Sequence, residues 1–335
     1  MIMQPAIIAL FVGSILVSSM VLYAAFYGVS ILRHWDLQNG SELQLGLERK
    51  TYLISTVMSY AFGFQLLSLF LFIFTADKLS GLFVGAMCAA GTLNVNGYGY
   101  PAMLLKIVNF LLGGVWLVVN YTDNRAFDYP LIKMKYLFLL IITPFIFSEM
   151  ITQGAYFLNL KANVITSCCG SLFSPESTGI GASLTALPSI PMKTGFYAVM
   201  TVTTVSGFYF YLKGRVSAGL LFSIMALITF TVSIAALISF ISLYFYALPT
   251  HHCPFCILQK EYYHIGYPLY LTLLGGVVTG LSVGVLIPFR HIKSLSTIIP
   301  RIQKRLTLTT LILYLVFTVI TACAMLFTDF RLDGY

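Results

Sequence analysis

The chain has 335 residues, of which 59% are hydrophobic and 9% charged, and its mean hydropathy is +0.90. Soluble domains carry about a quarter charged residues, so this composition excludes an ordinary soluble protein and predicts a polytopic helical protein of the lipid bilayer. The formal net charge is +8, but the basic residues are scattered singly or in short clusters. This scatter disfavours nucleic acid as a partner and favours an explanation by membrane topology.

Long apolar runs predict an all-α bundle of eight transmembrane helices that forms a single membrane domain over 1–335. A span needs about 20 residues at about 1.5 Å each. The first run lacks a basic n-region and a small-residue cleavage site, so we expect a retained helix rather than a signal peptide. The predicted spans cover 6–32, 51–75, 101–121, 134–157, 194–212, 217–247, 265–289 and 306–327.

The run 79–93 is apolar but too short to cross a bilayer. Gly91 is placed to end a helix there, and Pro101 is placed to begin the next span. We predict that 79–93 forms a short re-entrant or interfacial helix.

The distribution of Lys and Arg predicts the orientation. Thirteen lie in one set of alternate loops and five in the other, with Lys106 left inside a span. The positive-inside rule then puts both termini outside, and we expect the inner (cytoplasmic) membrane of a bacterium. All 6 cysteines fall on or near the outer side, where disulfides form and persist.

The segment 251–260, HHCPFCILQK, comes directly before an apolar run and contains a Cys-x-x-Cys pair. We predict a helix that begins near Cys253, which would put Cys253, Cys256, Lys260 and His264 on one stripe. Thiolates at a helix N-terminus beside cationic side chains have lowered pKa values. The spacing therefore indicates an exchanging dithiol.

The residues Cys-Pro-Phe-Cys-Ile-Leu-Gln-Lys at 253–260 resemble the Cys-Pro-x-Cys-Ile-x-x-Arg signature of the quinone-linked disulfide-forming oxidases, the DsbB family. They resemble more loosely the dithiol of the vitamin K epoxide reductases. Lys260 stands where the oxidase family usually has Arg. The resemblance implies a pair that opens a helix on the outer side of the membrane and passes electrons to a quinone.

We therefore predict a membrane thiol–disulfide redox protein, working with a quinone or with an external thiol/disulfide protein. Cys253 is expected to be the more exposed sulfur and to exchange with the partner, while Cys256 passes electrons inward. Lys260 and His264 are expected to stabilise the thiolate and any quinone anion. Ile257 stands where covalent haem attachment would need histidine, so no covalently bound cofactor is expected.

Other interpretations of the cysteines stay open at the sequence level. Three of the other four outer cysteines are predicted to form a relay or a structural disulfide, and they are Cys88, Cys168 and Cys169. A static disulfide in the motif is one alternative, and a metal site is another. The ligands of that metal site would be His251, His252, Cys253 and Cys256.

Two further functional classes remain as alternatives. One is a non-enzymatic membrane subunit of a larger respiratory or cytochrome assembly, with other membrane subunits as partners. The other is a transporter of metal ions or small solutes with soft Cys and His ligands. Glu149 and Gln153 lie inside a span and are expected to face the bundle interior or water, because exposure to lipid would be costly.

Overall fold

The computed structural model describes residues 3–36, 42–161, 164–166, 187–328 and 330. Within these ranges the regular structure is helical and contains no strand, which confirms the all-α prediction. The helices in chain order are α1 (Pro5–His34), α2 (Glu42–Leu79), α3 (Ala89–Leu93), α4 (Gly99–Asp123), α5 (Ile132–Leu158), α6 (Ser189–Lys213), α7 (Val216–Ala236), α8 (Ser242–Tyr246), α9 (Gly266–Leu286) and α10 (Ile298–Phe327).

Seven helices in the described part of the chain are long and apolar enough to cross a membrane. They correspond to seven of the eight predicted spans, with α7 and α8 counted as one continuous helix. The remaining predicted span, 194–212, coincides with α6, a helix of 25 residues that is not among the seven. Hydroxyl side chains repeat along α6, and the prediction that it also spans stays a prediction.

The prediction of one short helix over 79–93 is wrong. A 3₁₀ turn covers Ser80–Leu82, and helix returns only for the five residues of α3. Gly85 between them has φ of +90°, which interrupts the helix. A Cβ on Gly85 would also collide with the carbonyl oxygen of Thr166, whose own N–H donates to the carbonyl of Val84 at 3.0 Å. The segment is therefore a looped connection held against a second stretch of chain.

The chain divides into two compact units. α1, α4, α5 and most of α2 belong to the first unit, where α5 packs against both α1 and α4. The first unit comprises Met1–Thr75, Asn96–Lys161 and Pro288–Ile302, and the second comprises Ala76–Val95, Ala162–Ile287 and Gln303–Tyr335. The single membrane domain predicted over the whole chain stays a prediction.

In the second unit, α9 approaches its neighbours closely along a row of glycines. A Cβ on Gly280 would lie 2.5 Å from the Cβ of Ala226 in α7, and one on Gly276 would collide with the ring of Tyr314. The Tyr314 hydroxyl donates to the carbonyl of Ala226 at 2.8 Å. Small residues at such spacing let apolar helices pack at short range, which fixes α9 against α7.

A π-helical turn, Leu237–Ile241, joins α7 to α8 without breaking the helix axis. The hydroxyl of Ser242, the first residue of α8, donates to the carbonyl of Leu237 at 2.6 Å. Such turns insert one residue into a helix and occur often at functional sites. This one lies just before the segment that carries the cysteine motif.

Candidate functional site

Three cysteines of the second unit meet in one buried cluster. The Sγ atoms of Cys88 and Cys253 are 3.5 Å apart, and those of Cys88, Cys253 and Cys256 all lie within 4.8 Å of one another. The exposed fractions of the three residues are 0%, 0% and 4%. A disulfide bond is about 2.05 Å long. The sulfurs are therefore in contact without being bonded, and small movements would bring a pair to bonding distance.

The cysteine motif lies in a looped connection, and the helix predicted to begin there is wrong. Cys256–Leu258 and Lys260–Tyr262 are single 3₁₀ turns, and α9 begins only at Gly266. Tyr263 and His264 have φ of +53° and +54°, left-handed conformations that a helix cannot continue through. The predicted stripe of two thiols, an amine and an imidazole on one helix therefore does not form.

Lys260 and His264 are exposed residues of this connection. The ring of His264 donates from Nδ1 to the carbonyl oxygen of Leu258 at 2.7 Å, since a carbonyl can only accept. Their predicted role in stabilising the thiolate stays a prediction, although the helix from which that role was inferred does not form. The predicted order of exposure is also wrong, because Cys253 is at least as buried as Cys256.

Two tyrosines hold the backbone of the motif from the adjoining helices. The Tyr246 hydroxyl, at the end of α8, donates to the carbonyl of Cys253 and accepts from the N–H of Ile257 at 2.9 Å. The Tyr270 hydroxyl, in the first turns of α9, donates to the carbonyl of Pro254 at 2.6 Å. Polar groups of a buried loop need such partners, and these three bonds fix the loop in one conformation.

Gln259 connects the motif to the segment that carries Cys88. Its Nε2 donates to the carbonyl of Met87 at 2.8 Å and to Oδ1 of Asp77 at 3.0 Å. Met87 directly precedes Cys88 in the chain. The contact between Cys88 and the motif is therefore supported by directed hydrogen bonds as well as by packing.

The two histidines before the motif have different environments. His252 donates from Nδ1 to the carbonyl of Ile238, in the π-helical turn, at 2.9 Å. The ring of His251 packs edge-on against Tyr246 with centroids 4.5 Å apart. Burial lowers the pKa of His251 below its usual value, and Cys88 acts in the opposite direction.

The predicted metal set of His251, His252, Cys253 and Cys256 is not the one that the structure assembles. Among the described residues, the group with ligand atoms at metal-binding spacing consists of Cys88 and the two motif cysteines. Because Cys88 is separated from Cys253 by 165 positions, no local pattern in the sequence could indicate that it belongs to this group.

No relative is found. Comparisons with family models, curated proteins and solved structures give no significant match for this chain. The resemblance to the quinone-linked oxidases therefore rests on the segment 253–260 alone. Cys168 and Cys169, predicted as relay or structural cysteines, lie outside the described residues, and Cys323 is exposed and apart from the cluster.

The first unit contains a buried polar cluster of its own around Glu149. Lys106 Nζ lies 2.7 Å from Glu149 Oε1 and 3.2 Å from the hydroxyl of Ser68. Asn109 Nδ2 donates to the other carboxylate oxygen at 2.6 Å, and Gln65 donates to it as well. Glu149 is 2% exposed and Gln153 is 0% exposed, which confirms that both face the interior.

Sequence reasoning missed the partners that build the sulfur cluster. Tyr246 and Tyr270 lie near helix ends. Tyrosines are common at helix ends in membrane proteins because they form the aromatic belts at the membrane interfaces, so their position carried no specific signal. Gln259 is a polar residue in a connection, which carries no specific signal. Only the Cys-x-x-Cys spacing and the unusual polar residues inside apolar runs pointed to the two buried clusters.

Proposed function

We propose that the protein is an integral membrane thiol–disulfide redox protein whose centre is the cluster of Cys88, Cys253 and Cys256. The observation that carries the proposal is the 3.5 Å contact between the Sγ atoms of Cys88 and Cys253, with Cys256 in the same group. Three sulfurs at this range allow a disulfide to pass from one pair to another inside the protein. Two cysteines alone would allow only the formation and reduction of a single disulfide.

The exchange step is balanced within the cluster. With a Cys253–Cys256 disulfide in place, the Cys88 thiolate attacks Sγ of Cys253, the Cys88–Cys253 bond forms, and Cys256 leaves as a thiolate. No electrons are gained or lost in this step. To form a disulfide from two thiols, a quinone accepts two electrons and two protons and becomes a quinol.

Burial of the sulfurs favours a small lipid-soluble acceptor over a folded external protein. An attacking thiolate must reach its target sulfur, and none of the three is more than 4% exposed. A quinone can approach from the apolar interior of the bilayer, because the helices beside the motif consist mainly of apolar residues. Exchange with an external thiol/disulfide protein would require the connection 247–265 to open first.

The membrane arrangement forms part of the same proposal. Seven apolar helices, with α6 as an eighth, would cross a bacterial cytoplasmic membrane with both termini outside. This orientation follows from the Lys and Arg distribution and leaves the cysteine connections on the oxidising side. The proposed chemistry does not require the chain to work alone.

The test compares disulfide connectivity in the purified full-length protein with that of four cysteine-to-serine variants. The variants are Cys88→Ser, Cys253→Ser, Cys256→Ser and, as a matched control, Cys323→Ser. After oxidation by a soluble quinone, the protein is quenched with acid, alkylated and mapped by mass spectrometry. We expect wild type and the control to contain both Cys253–Cys256 and Cys88–Cys253 bonds.

The variants separate an exchanging centre from a static disulfide. Cys253→Ser should lose both of these bonds, whereas Cys88→Ser and Cys256→Ser should each retain one. Quinol formation should fall at least ten-fold in Cys253→Ser relative to Cys323→Ser, a difference of about 1.4 kcal/mol in activation free energy. A single invariant disulfide in wild type, or equal quinol formation in all variants, would refute the redox function.

A further inference from the structure

We infer that Cys88, Cys253 and Cys256, when reduced, form a binding site for one thiophilic metal ion, and that Zn²⁺ is the ion that fits it best. The site has three potential thiolate ligands whose sulfurs lie within 4.8 Å of one another. Its ligands differ from a local Cys-x-x-Cys site because Cys88 comes from the connection between α2 and α3. The inference uses the same sulfurs as the redox proposal but does not require any redox turnover.

The separation of the Cys88 and Cys253 sulfurs is closer to that of two ligands on one metal ion than to the length of a disulfide bond. Zinc–thiolate bonds are about 2.3 Å long, so two sulfurs on one ion are separated by about 3.8 Å in a tetrahedral site and about 4.0 Å in a trigonal one. The Cys88–Cys253 separation of 3.5 Å lies within a few tenths of an ångström of these values. A disulfide requires a contraction to about 2.05 Å and leaves the third sulfur unused.

The charge balance favours Zn²⁺ over Cu⁺ in this buried position. Three thiolates carry three negative charges, and placing them in an apolar site without a counter-charge would be costly. Zinc leaves one net negative charge on the site, whereas Cu⁺ leaves two. Thiolates also exclude the hard cations Mg²⁺ and Ca²⁺, which prefer oxygen ligands.

The surrounding hydrogen bonds hold the three ligands in place before any ion arrives. Tyr246 and Tyr270 fix the carbonyls of Cys253 and Pro254, and Gln259 fixes the carbonyl of the residue before Cys88. Partners outside the ligand set orient metal ligands in this way, and their loss typically weakens binding by 10–100-fold.

Three protein ligands leave one position of a tetrahedral ion open. In zinc proteins an open fourth position is typical of catalytic or exchangeable sites, whereas structural sites have four protein ligands. Oxidation would also empty the site, because a disulfide between any two of the cysteines removes two of the three ligands. The two electrons would go to the quinone or disulfide that acts as oxidant.

The experiment uses the full-length protein, purified in detergent without a histidine tag and reduced anaerobically in the presence of a chelator. After the chelator is removed, Zn²⁺ is titrated in competition with a chromogenic indicator, and bound metal is counted by elemental analysis. We expect one zinc per chain, release of protons on binding, and no binding by protein in which two of the three cysteines are joined by a disulfide. Each of Cys88→Ser, Cys253→Ser and Cys256→Ser should bind at least ten-fold more weakly, while the control Cys323→Ser should bind as wild type does.

Two further measurements keep the inference testable if a cysteine variant fails to fold. X-ray absorption of the zinc-loaded wild type should give three sulfur neighbours at about 2.3 Å. Gln259→Leu, which keeps all three ligands, should weaken binding by about ten-fold or more. Substoichiometric zinc in wild type, a sulfur count below three, or unchanged binding by folded Cys88→Ser would overturn the inference. If wild type binds no zinc but its disulfides still exchange, the metal site is refuted and the redox proposal is unaffected. If wild type binds zinc but its disulfides do not exchange, the redox proposal is refuted and the metal site is unaffected.

Discussion

The buried ion pair between Lys106 and Glu149 makes a quantitative test of the first unit possible. The two groups are 1% and 3% exposed at their side chains and 2.7 Å apart. If Glu149 is replaced by leucine, the Lys106 ammonium keeps the Ser68 hydroxyl at 3.2 Å and the ring of Phe72, whose centroid is 5.4 Å away. These contacts compensate only part of the cost of a buried charge.

The expected loss of stability in each variant depends on which buried charge remains and on the partners that it keeps. Breaking a buried pair by removing one partner costs about 3–5 kcal/mol. Glu149→Leu should lie near the top of that range, because Lys106 keeps only one hydroxyl partner and a cation–π contact of about 1–2 kcal/mol. Lys106→Met should cost less, because Glu149 still accepts from the amides of Asn109 and Gln65. The double variant removes both charges and should be more stable than Glu149→Leu alone.

The assay is a double-mutant cycle on reversible unfolding in mixed micelles, followed by circular dichroism. We expect a coupling free energy of about 2–3 kcal/mol between Lys106 and Glu149. As a control, Lys213→Met changes an exposed lysine at the end of α6 and should alter stability by no more than about 0.5 kcal/mol. If the decreases in unfolding free energy of the two single variants simply add in the double variant, the two groups are not energetically coupled and the reasoning is refuted.

Two other predictions test the connections and the orientation. Gly85→Ala should destabilise the protein by about 1–3 kcal/mol, because φ is +90° and a Cβ would collide with the carbonyl of Thr166, whereas Gly97→Ala, with open space around it, should change little. Unfolding midpoints of the two variants check this, and equal midpoints would contradict the strain. A membrane-impermeant amine label on intact cells should modify 248–264 and leave 290–305 unmodified. Labelling of the second range from outside would reverse the predicted orientation.

Local patterns in the sequence anticipated the helices well but not the connections. The spans predicted at 101–121 and 134–157 became α4 and α5 with only two or fewer residues added at each end. Hydropathy works here because each long helix satisfies its own backbone and needs only apolar side chains. Glu149 was placed inside the bundle by the same logic, since a carboxylate facing lipid is costly.

The conformation of the cysteine motif depended on contacts that no local pattern encodes. Cys253-Pro254-Phe255-Cys256 has the spacing of a helix start, and Pro254 is typical of a first turn. In the structure, hydroxyls from two helices bind the backbone of this segment instead, and α9 begins only at Gly266. Long-range partners such as Cys88 decided the geometry, and a single sequence gives no means to identify them.

The π-helical turn Leu237–Ile241 sets the angular position of everything that follows it in the same helix. Because a helix advances by about 100° per residue, deleting one residue there would restore ordinary α-helix and rotate Tyr246 by about that angle. The hydropathy of the helix would hardly change, so the deletion would pass unnoticed in a hydropathy plot. The hydroxyl of Tyr246 would nevertheless lose both the carbonyl of Cys253 and the N–H of Ile257. Among chains related to this one, the length of the segment 237–241 would therefore report on the state of the sulfur cluster even where all three cysteines are retained.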